Sequence, residues 1–348
     1  DGPGDVPAES DGGVCVDVDG DGVCRPADCD DESTAVHPGA DELCGNAFDD
    51  DCDGAVDEDC LAGTTTYFVD RDSLGGACSD DNPGTQTAPW CTVAKANRTL
   101  TAGDTVYLRA GTYAGETIEP DNAGTSDADR ITYTAWADEV VTFTASVYCV
   151  RLQETEYVTV RGLRFLDCER NLYVRASHHN NIGDCTFDNP GGPVTWAGSR
   201  IYEGSTYNRI HDSVFSRYGM ETESGGAYDD TACVLDIGND NAIDESDHNL
   251  VIRNTFFHGG HHVLGVYSNH NVVRGNTFHN ENWYACHRTA LGGVCGNRNV
   301  ILNTSFPEAN VRNVLEDNVI AFSGVPADQD SSTGLSVRTQ RNIIRRNV

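Results

Sequence analysis

From Thr64 onward the chain is written in short apolar runs, rich in β-branched and aromatic residues and separated by Gly, Asn and Asp. That texture is strand and turn. "AGDTVYLRAGTY" (102–113) reads as a turn followed by a strand with alternating faces, whereas "PWCTVAKANRTL" (89–100) has helical spacing. The first sixty residues differ, with almost no apolar runs, so their order must come from cross-links and bound ions.

Within the body, six phrases end on Phe165, Phe187, Phe215, Phe256, Phe278 and Phe306, at steps of 22, 28, 41, 22 and 28. Seven residues before these anchors stand Val158, Asn180, Asn208, Asn249, Asn271 and Asn299. The copies read "NLVIRNTF" (249–256), "NVVRGNTF" (271–278) and "NVILNTSF" (299–306), with "NVLEDNVI" (313–320) and "NIIRRNV" (342–348) as further matches. A period in the low twenties with Asn at one turn predicts coils of a parallel β-helix. Each buried Asn would then bond to the Asn above and below, which satisfies amides that are costly to bury alone. The step from 306 to 320 is only 14 residues, too short for a coil, so one of those two matches is an insertion or false.

A further strand precedes each Asn phrase: "LYVRA" (172–176), "RIYEG" (200–204), "CVLDIG" (233–238), "VLGVYS" (263–268) and "LSVRT" (335–339). Alternation turns Arg175, Tyr202, Asp236, Tyr267 and Arg338 outward on one long face. A Tyr and Arg row suits acidic glycans; a plain solvated face is the competing reading. Arg175, Asp236, His262, Tyr267 and Arg338 are the catalytic candidates, should the chain be an enzyme. His179, His248 and His270 each lie eight residues before an anchor Phe and should share a column, and "HGGHH" (258–262) and "HNENWYACH" (279–287) add more. Such histidines can bind metal or move protons, but ladder residues at a repeated turn are the ordinary alternative. The longest excursion, 217–247, gathers Glu221, Asp229, Asp230, Asp236, Asp244 and Glu245 as candidate acids or calcium ligands. No closely spaced carboxylate pair stands out as a hydrolase dyad.

Charge narrows the partners. The 348 residues carry 55 acidic against 23 basic side chains, a formal net charge of -32, which repels nucleic acids and anionic membranes. No run reaches the roughly 18 apolar residues of a membrane span. Fourteen cysteines at mostly short spacings predict disulfides and hence a secreted or surface protein. The expected local pairs are Cys15–Cys24, Cys44–Cys52, Cys78–Cys91 and Cys286–Cys295, with a zinc site as the competing use of cysteine. The opening "DGPGDVPAESDGG" reads as a mature end after signal removal or as a boundary.

In "DVDGDGVCRPADCDD" (17–31), Asp17, Asp19 and Asp21 fall at positions 1, 3 and 5 of a calcium loop, Gly22 at the turn, the Val23 carbonyl at 7 and Asp28 at 12. The same arithmetic recurs in "DDDCDGAVDEDC" (49–60), with Asp49, Asp51, Asp53, Gly54 and then Asp57 at position 9. Hard oxygen donors without histidine favour Ca2+. The phrases "DGDG" (19–22), "DCDD" (28–31), "HPGADELC" (37–44), "DDDCDG" (49–54) and "VDE" (56–58) resemble the metal-binding motif of MopE-type secreted bacterial proteins over about residues 15–60. Copper is attached to that family's name, but these residues argue for calcium.

The body resembles right-handed parallel β-helix proteins of the pectate-lyase-like class, through "YFVDRD" (67–72), "DDNPGTQTAPWCTVAKA" (80–96), "GDTVYLRAGTY" (103–113) and the Asn phrases. The resemblance implies that helix 89–100 caps the N-terminal end of the core. It also implies that a polyuronate lyase would need a lysine or arginine base beside calcium. Lys95 is the only lysine and lies in the cap helix, so only an arginine such as Arg175 or Arg338 could serve. The expected plan is a linker (1–14), a disulfide-rich calcium-binding segment (15–62) and a β-helix (63–348). Because "NIIRRNV" stops inside a coil phrase, either the chain continues or another molecule covers that end. Two functions follow: an extracellular scaffold that self-associates or binds glycans, preferred here, or a calcium-dependent lyase or hydrolase acting on acidic polysaccharide.

Overall fold

In the computed structural model the described residues are 23–30, 36–38, 40, 49, 51–54, 65–71, 78–189, 197–218, 233–239, 242–259, 262–279, 297–302, 312–321 and 332–348. The chain divides into two compact units, residues 1–64 and 65–348. The second is an all-parallel β-helix of three sheets with ten, eight and seven strands.

Each coil lays one strand in each sheet. Val158–Arg161 enters the ten-stranded sheet, Arg164–Leu166 the eight-stranded one and Arg170–Arg175 the seven-stranded one, before Asn181–Gly183 begins the next coil directly beside Val158–Arg161. Short strands of three to six residues suffice because every strand but those at the ends of the sheets is paired on both sides by its neighbours in the stack.

The corners are sharp, and the backbone reaches them through left-handed residues. Tyr157, His179, Tyr207, His248, His270, Arg312 and Arg341 all have φ between 52° and 62° at the corner entering the ten-stranded sheet. The residue after each is the ladder position: Val158, Asn180, Asn208, Asn249, Asn271, Asn313 and Asn342. Asn249 Oδ1 accepts the Asn208 N–H at 3.0 Å and its Nδ2 donates to the Ser205 and Ser246 carbonyls, both at 2.9 Å. The Asn249 N–H in turn donates to Asn271 Oδ1 at 2.9 Å, and the Asn271 N–H to Asn313 Oδ1 at 2.8 Å. One side chain thus satisfies corner groups on two coils.

The predicted ladder is present with one correction. Asn299 and Phe306 are not its next members: Asn299 lies in the seven-stranded sheet, in Asn297–Leu302, and the ladder passes to Asn313. Ile320 pairs with Phe278, so the 14-residue step arose from the false match at 299–306, and Phe306 itself lies outside the described residues. A second ladder, absent from the expectation, runs at the next corner through Ser213, Asn254, Asn276, Asn318 and Asn347. Each of these asparagines stands five residues after one of the first ladder.

Inside, Phe143, Phe165, Phe187, Phe215, Phe256 and Phe278 form one continuous stack with centroids 4.5–5.4 Å apart. The spacing is set by the 4.7–4.9 Å between paired strands. The helix is Val93–Thr99, shorter than expected, with Thr92 as its N-cap accepting the Lys95 N–H at 3.1 Å. Its Val93 and Ala96, with Leu100, belong to the same core as the first coils. Asn97, the first residue of an N-x-Thr sequon, is buried and donates its amide to the Thr117 carbonyl at 2.9 Å, so that nitrogen is not available to a glycan.

The cysteine pairing was partly misread. Cys78–Cys91 is as expected, but Cys52 bonds to Cys29, not to Cys44, across a Cα separation of 5.6 Å. The sequence-local rule favoured the nearer cysteine, whereas the fold joins the "DCDD" and "DDDCDG" phrases. Cys149–Cys168 is a further bridge between neighbouring coils. Cys24 is disulfide-bonded, while Cys15, Cys44, Cys286 and Cys295 lie outside the described residues.

Replacing Asn249 by Ala should cost about 1–3 kcal/mol, because the Asn208 N–H and two carbonyls lose their partner in a buried corner. Equilibrium urea unfolding would read this, and a variant as stable as the parent would contradict the ladder's role.

Candidate functional site

The face of interest is the outer side of the seven-stranded sheet. Alternation buries Leu172, Val174, Ile201, Leu235, Ile237, Leu264 and Val266 and turns the intervening residues out. Register then builds two files. Arg175 stands opposite Tyr202 in one, while Arg151, Tyr173, Arg200, Asp236 and Gly265 stand opposite one another in the other.

One half of this face is aromatic and cationic. Tyr148, Tyr173 and Tyr202 meet edge to face at 4.9 and 5.1 Å. The hydroxyls of Tyr173 and Tyr202 are hydrogen-bonded, and burial pushes the Tyr173 phenol above its ordinary range. Arginines lie on these rings: Arg151 on Tyr148, Arg170 on Tyr173 and Arg200 on Tyr202, at 5.2, 5.5 and 4.5 Å. Arg151 is also tied to Glu119 at 2.9 Å, and Arg175 to Glu203 at 2.7 Å. Arg170 and Arg200 form no ion pair among the described residues, and the Arg200 Nε is buried with no hydrogen-bond partner.

The other half is a closed polar cluster. His262 Nε2 lies 2.7 Å from Asp236 Oδ1 and 3.3 Å from the Tyr267 hydroxyl, while His262 Nδ1 lies 3.4 Å from Cys233 Sγ. Cys233 is directly opposite His262 in register, and Asp236 opposite Gly265. Glycine is required there, since a Cβ at Gly265 would fall 2.4 Å from Asp236 Oδ1 and 2.6 Å from His262 Nε2. Exposures of 0% for Cys233, 2% for Asp236, 1% for His262 and 5% for Tyr267 place the cluster beneath the surface.

Of the five catalytic candidates, the structure therefore brings Asp236, His262 and Tyr267 together and leaves two apart. Arg175 is held by Glu203, whose hydrogen bond raises the guanidinium above its ordinary value. Arg338 is exposed on the strand end, its N–H bonded to the Leu302 carbonyl. Cys233 and Gly265 were not singled out. Cys233 stood inside a quoted strand but was counted among the disulfide cysteines, and Gly265 matters only through cross-strand register.

Among the loop acids, Asp244 is a buried turn acceptor, taking the N–H groups of Glu203 and Gly204 and the Ser246 hydroxyl, which removes it as a free ligand. Glu245 is exposed; Glu221, Asp229 and Asp230 lie outside the described residues. The histidine column is real and external. Tyr157, His179, Tyr207, His248 and His270 stack ring on ring at 4.8–5.1 Å, all at left-handed corner positions.

In the first unit, Asp49, Asp51 and Asp53 converge, one oxygen from each within 4.8 Å of the others. Gly54 takes φ 98° at the expected turn, and the N–H groups of Asp53 and Gly54 donate to Asp49 at 3.0 and 2.9 Å. Asp28 is buried, and its Oδ2 has no hydrogen-bond partner. Convergent carboxylates and an orphaned buried oxygen fit a hard cation. Val23 is described; Asp17, Asp19, Asp21 and Asp57 lie outside the described residues.

Residues 28–58 match the family model of the MopE copper-binding type, described as "Putative metal-binding motif". No curated protein matches the chain. Solved structures similar to it include pectate lyase Pel9A (16% identity, 81% of this chain and 79% of that one, TM-score 0.49). An alginate lyase from Paenibacillus sp. str. FPU-7 (13%, 81% and 99%, 0.46) and a rhamnogalacturonan lyase (12%, 81% and 87%, 0.43) are similar too. At such identities the likeness concerns fold. The three all-parallel sheets define the class, a parallel β-helix preceded by a metal-binding motif, and the chemistry must be read from this chain's own residues.

Gly265→Ala should force Asp236 and His262 apart and destabilise the body by about 1–3 kcal/mol, the usual cost of overpacking. Thermal unfolding unchanged from the parent would show that the cluster is not close-packed around this position.

Proposed function

We propose that this protein is a secreted, calcium-stabilised β-helix that binds acidic polysaccharide along the outer face of its seven-stranded sheet. The observation that carries the reading is the cluster of half-buried Tyr148 and Tyr173 beside the buried Tyr202, with Arg170 and Arg200 laid across rings and in no ion pair among the described residues. Tyrosine faces suit the apolar C–H surface of a sugar ring, and guanidinium groups suit its carboxylates, as bidentate donors. Against a net charge of -32, a local cationic strip is the part of the molecule a polyanion can approach. Disulfides in both units are consistent with an oxidising compartment.

Binding is preferred to cleavage on geometric grounds. A proton-transfer group must touch the polymer, and Asp236 and His262 are 1–2% exposed, while Arg175 is held in an ion pair with Glu203. Calcium in the first unit is the metal the donor set supports best, since every converging ligand is a carboxylate oxygen.

Two measurements test this. In affinity electrophoresis through polygalacturonate or alginate, the parent should be retarded, and a Tyr173→Ala/Arg200→Ala variant should bind at least about tenfold more weakly, which is about 1.4 kcal/mol. Equal retardation would sink the binding face, and appearance of unsaturated products would move the assignment to eliminative cleavage. For calcium, isothermal titration should give lower stoichiometry in Asp49→Asn/Asp51→Asn, and chelation should open residues 1–64 to protease. If chelation leaves cleavage there unchanged, the calcium assignment is wrong.

A further inference from the structure

We infer that Cys233, His262 and Asp236 form a second metal site, for one borderline-soft divalent ion of the zinc class, chemically distinct from the carboxylate loops of the first unit. The three residues come from adjacent strands in fixed register, with Cys233 opposite His262 and Asp236 three residues further along its strand. One donor atom from each lies within 4.8 Å of the others. All three are at least nine-tenths buried, which is unusual for a thiol, an imidazole and a carboxylate in one place unless they are paired or coordinate a metal.

The distances suit such an ion. Zinc held at about 2.3 Å from sulfur and about 2.0–2.1 Å from nitrogen sets those atoms about 3.5 Å apart in tetrahedral geometry. Cys233 Sγ and His262 Nδ1 are 3.4 Å apart. Asp236, 2.7 Å from the other ring nitrogen, fixes the imidazole as carboxylates do behind metal-bound histidines. Gly265 keeps a side chain out of the space between these donors. Cys233 is in no disulfide. A sulfur and nitrogen donor pair selects against calcium and magnesium. The ligand form of the cysteine is the thiolate, so binding releases the thiol proton. Cys185, the other thiol among the described residues, makes an instructive contrast: burial in the core pushes it up to about 12, and its Sγ faces the Val160 and Gly183 carbonyls.

The test uses the intact chain, stripped with a chelator and returned to excess Ca2+ so that the carboxylate loops are filled. Co2+ is then titrated and the sulfur-to-cobalt charge-transfer absorbance followed, with Zn2+ as competitor. One equivalent of Co2+ should develop the band, Zn2+ should abolish it, and Asp49→Asn and Cys185→Ala should both retain it. Cys233→Ser should lose the band while keeping the parent's circular dichroism. Absence of the band in the parent, or its persistence in Cys233→Ser, would overturn the site. The parent titration decides the matter even if Cys233→Ser fails to fold.

Discussion

A stacked coil must turn a corner three times, and at each corner backbone N–H and C=O groups leave one sheet before the next can receive them. In this protein asparagine amides fill that gap at two of the three corners. The oxygen of Asn249 accepts a backbone N–H of the preceding coil and its nitrogen donates to one carbonyl of that coil and one of its own, so the side chain stands in for the missing piece of ladder. Because each Asn is fixed by the next, the coils are held in one register, and everything displayed on the surface inherits it. The left-handed residue before each Asn is a second consequence: the turn demands positive φ, and Tyr, His and Arg accept it here because their side chains stack outward as a column.

Register is what makes a functional surface from ordinary strands. Tyr173 and Arg200 are 27 positions apart, yet they are cross-strand partners; Cys233 and His262 are 29 apart and equally adjacent. The seven-stranded sheet receives the chain after its longest excursions and still returns each strand to the same alignment. One face therefore carries both a Tyr and Arg strip and, on the next two strands, a buried Cys, His and Asp cluster. These halves differ in kind: in the first, Tyr148, Tyr173, Arg170 and Arg200 are partly exposed and suited to contact with a polymer, while the second is closed and suited to a small ion.

The periodic part of the fold was legible because its signals repeat. The Phe stack and the first Asn ladder, seven residues apart, announced coils, and the outward parity of Arg175, Tyr202, Asp236, Tyr267 and Arg338 followed from alternation alone. Misreadings arose where a local likeness lacked its three-dimensional partner. "NVILNTSF" has the letters of a ladder phrase but lies on another sheet, and Cys52 chose Cys29 over the nearer Cys44. Arg151, Arg170 and Arg200 went unremarked because a cation becomes informative only when its neighbour across the strand is a tyrosine ring. Gly265, likewise, is eloquent only beside Asp236 and His262.

The most direct test of the central claim, that the outer face of the seven-stranded sheet is the binding surface, is amide hydrogen exchange on the unmodified protein with and without an oligouronate. The account predicts slowed exchange concentrated in Tyr148–Gln153, Arg170–Arg175 and Ala197–Tyr202, with the ten-stranded sheet unchanged. Protection confined to the ten-stranded sheet, or to the histidine column, would contradict it.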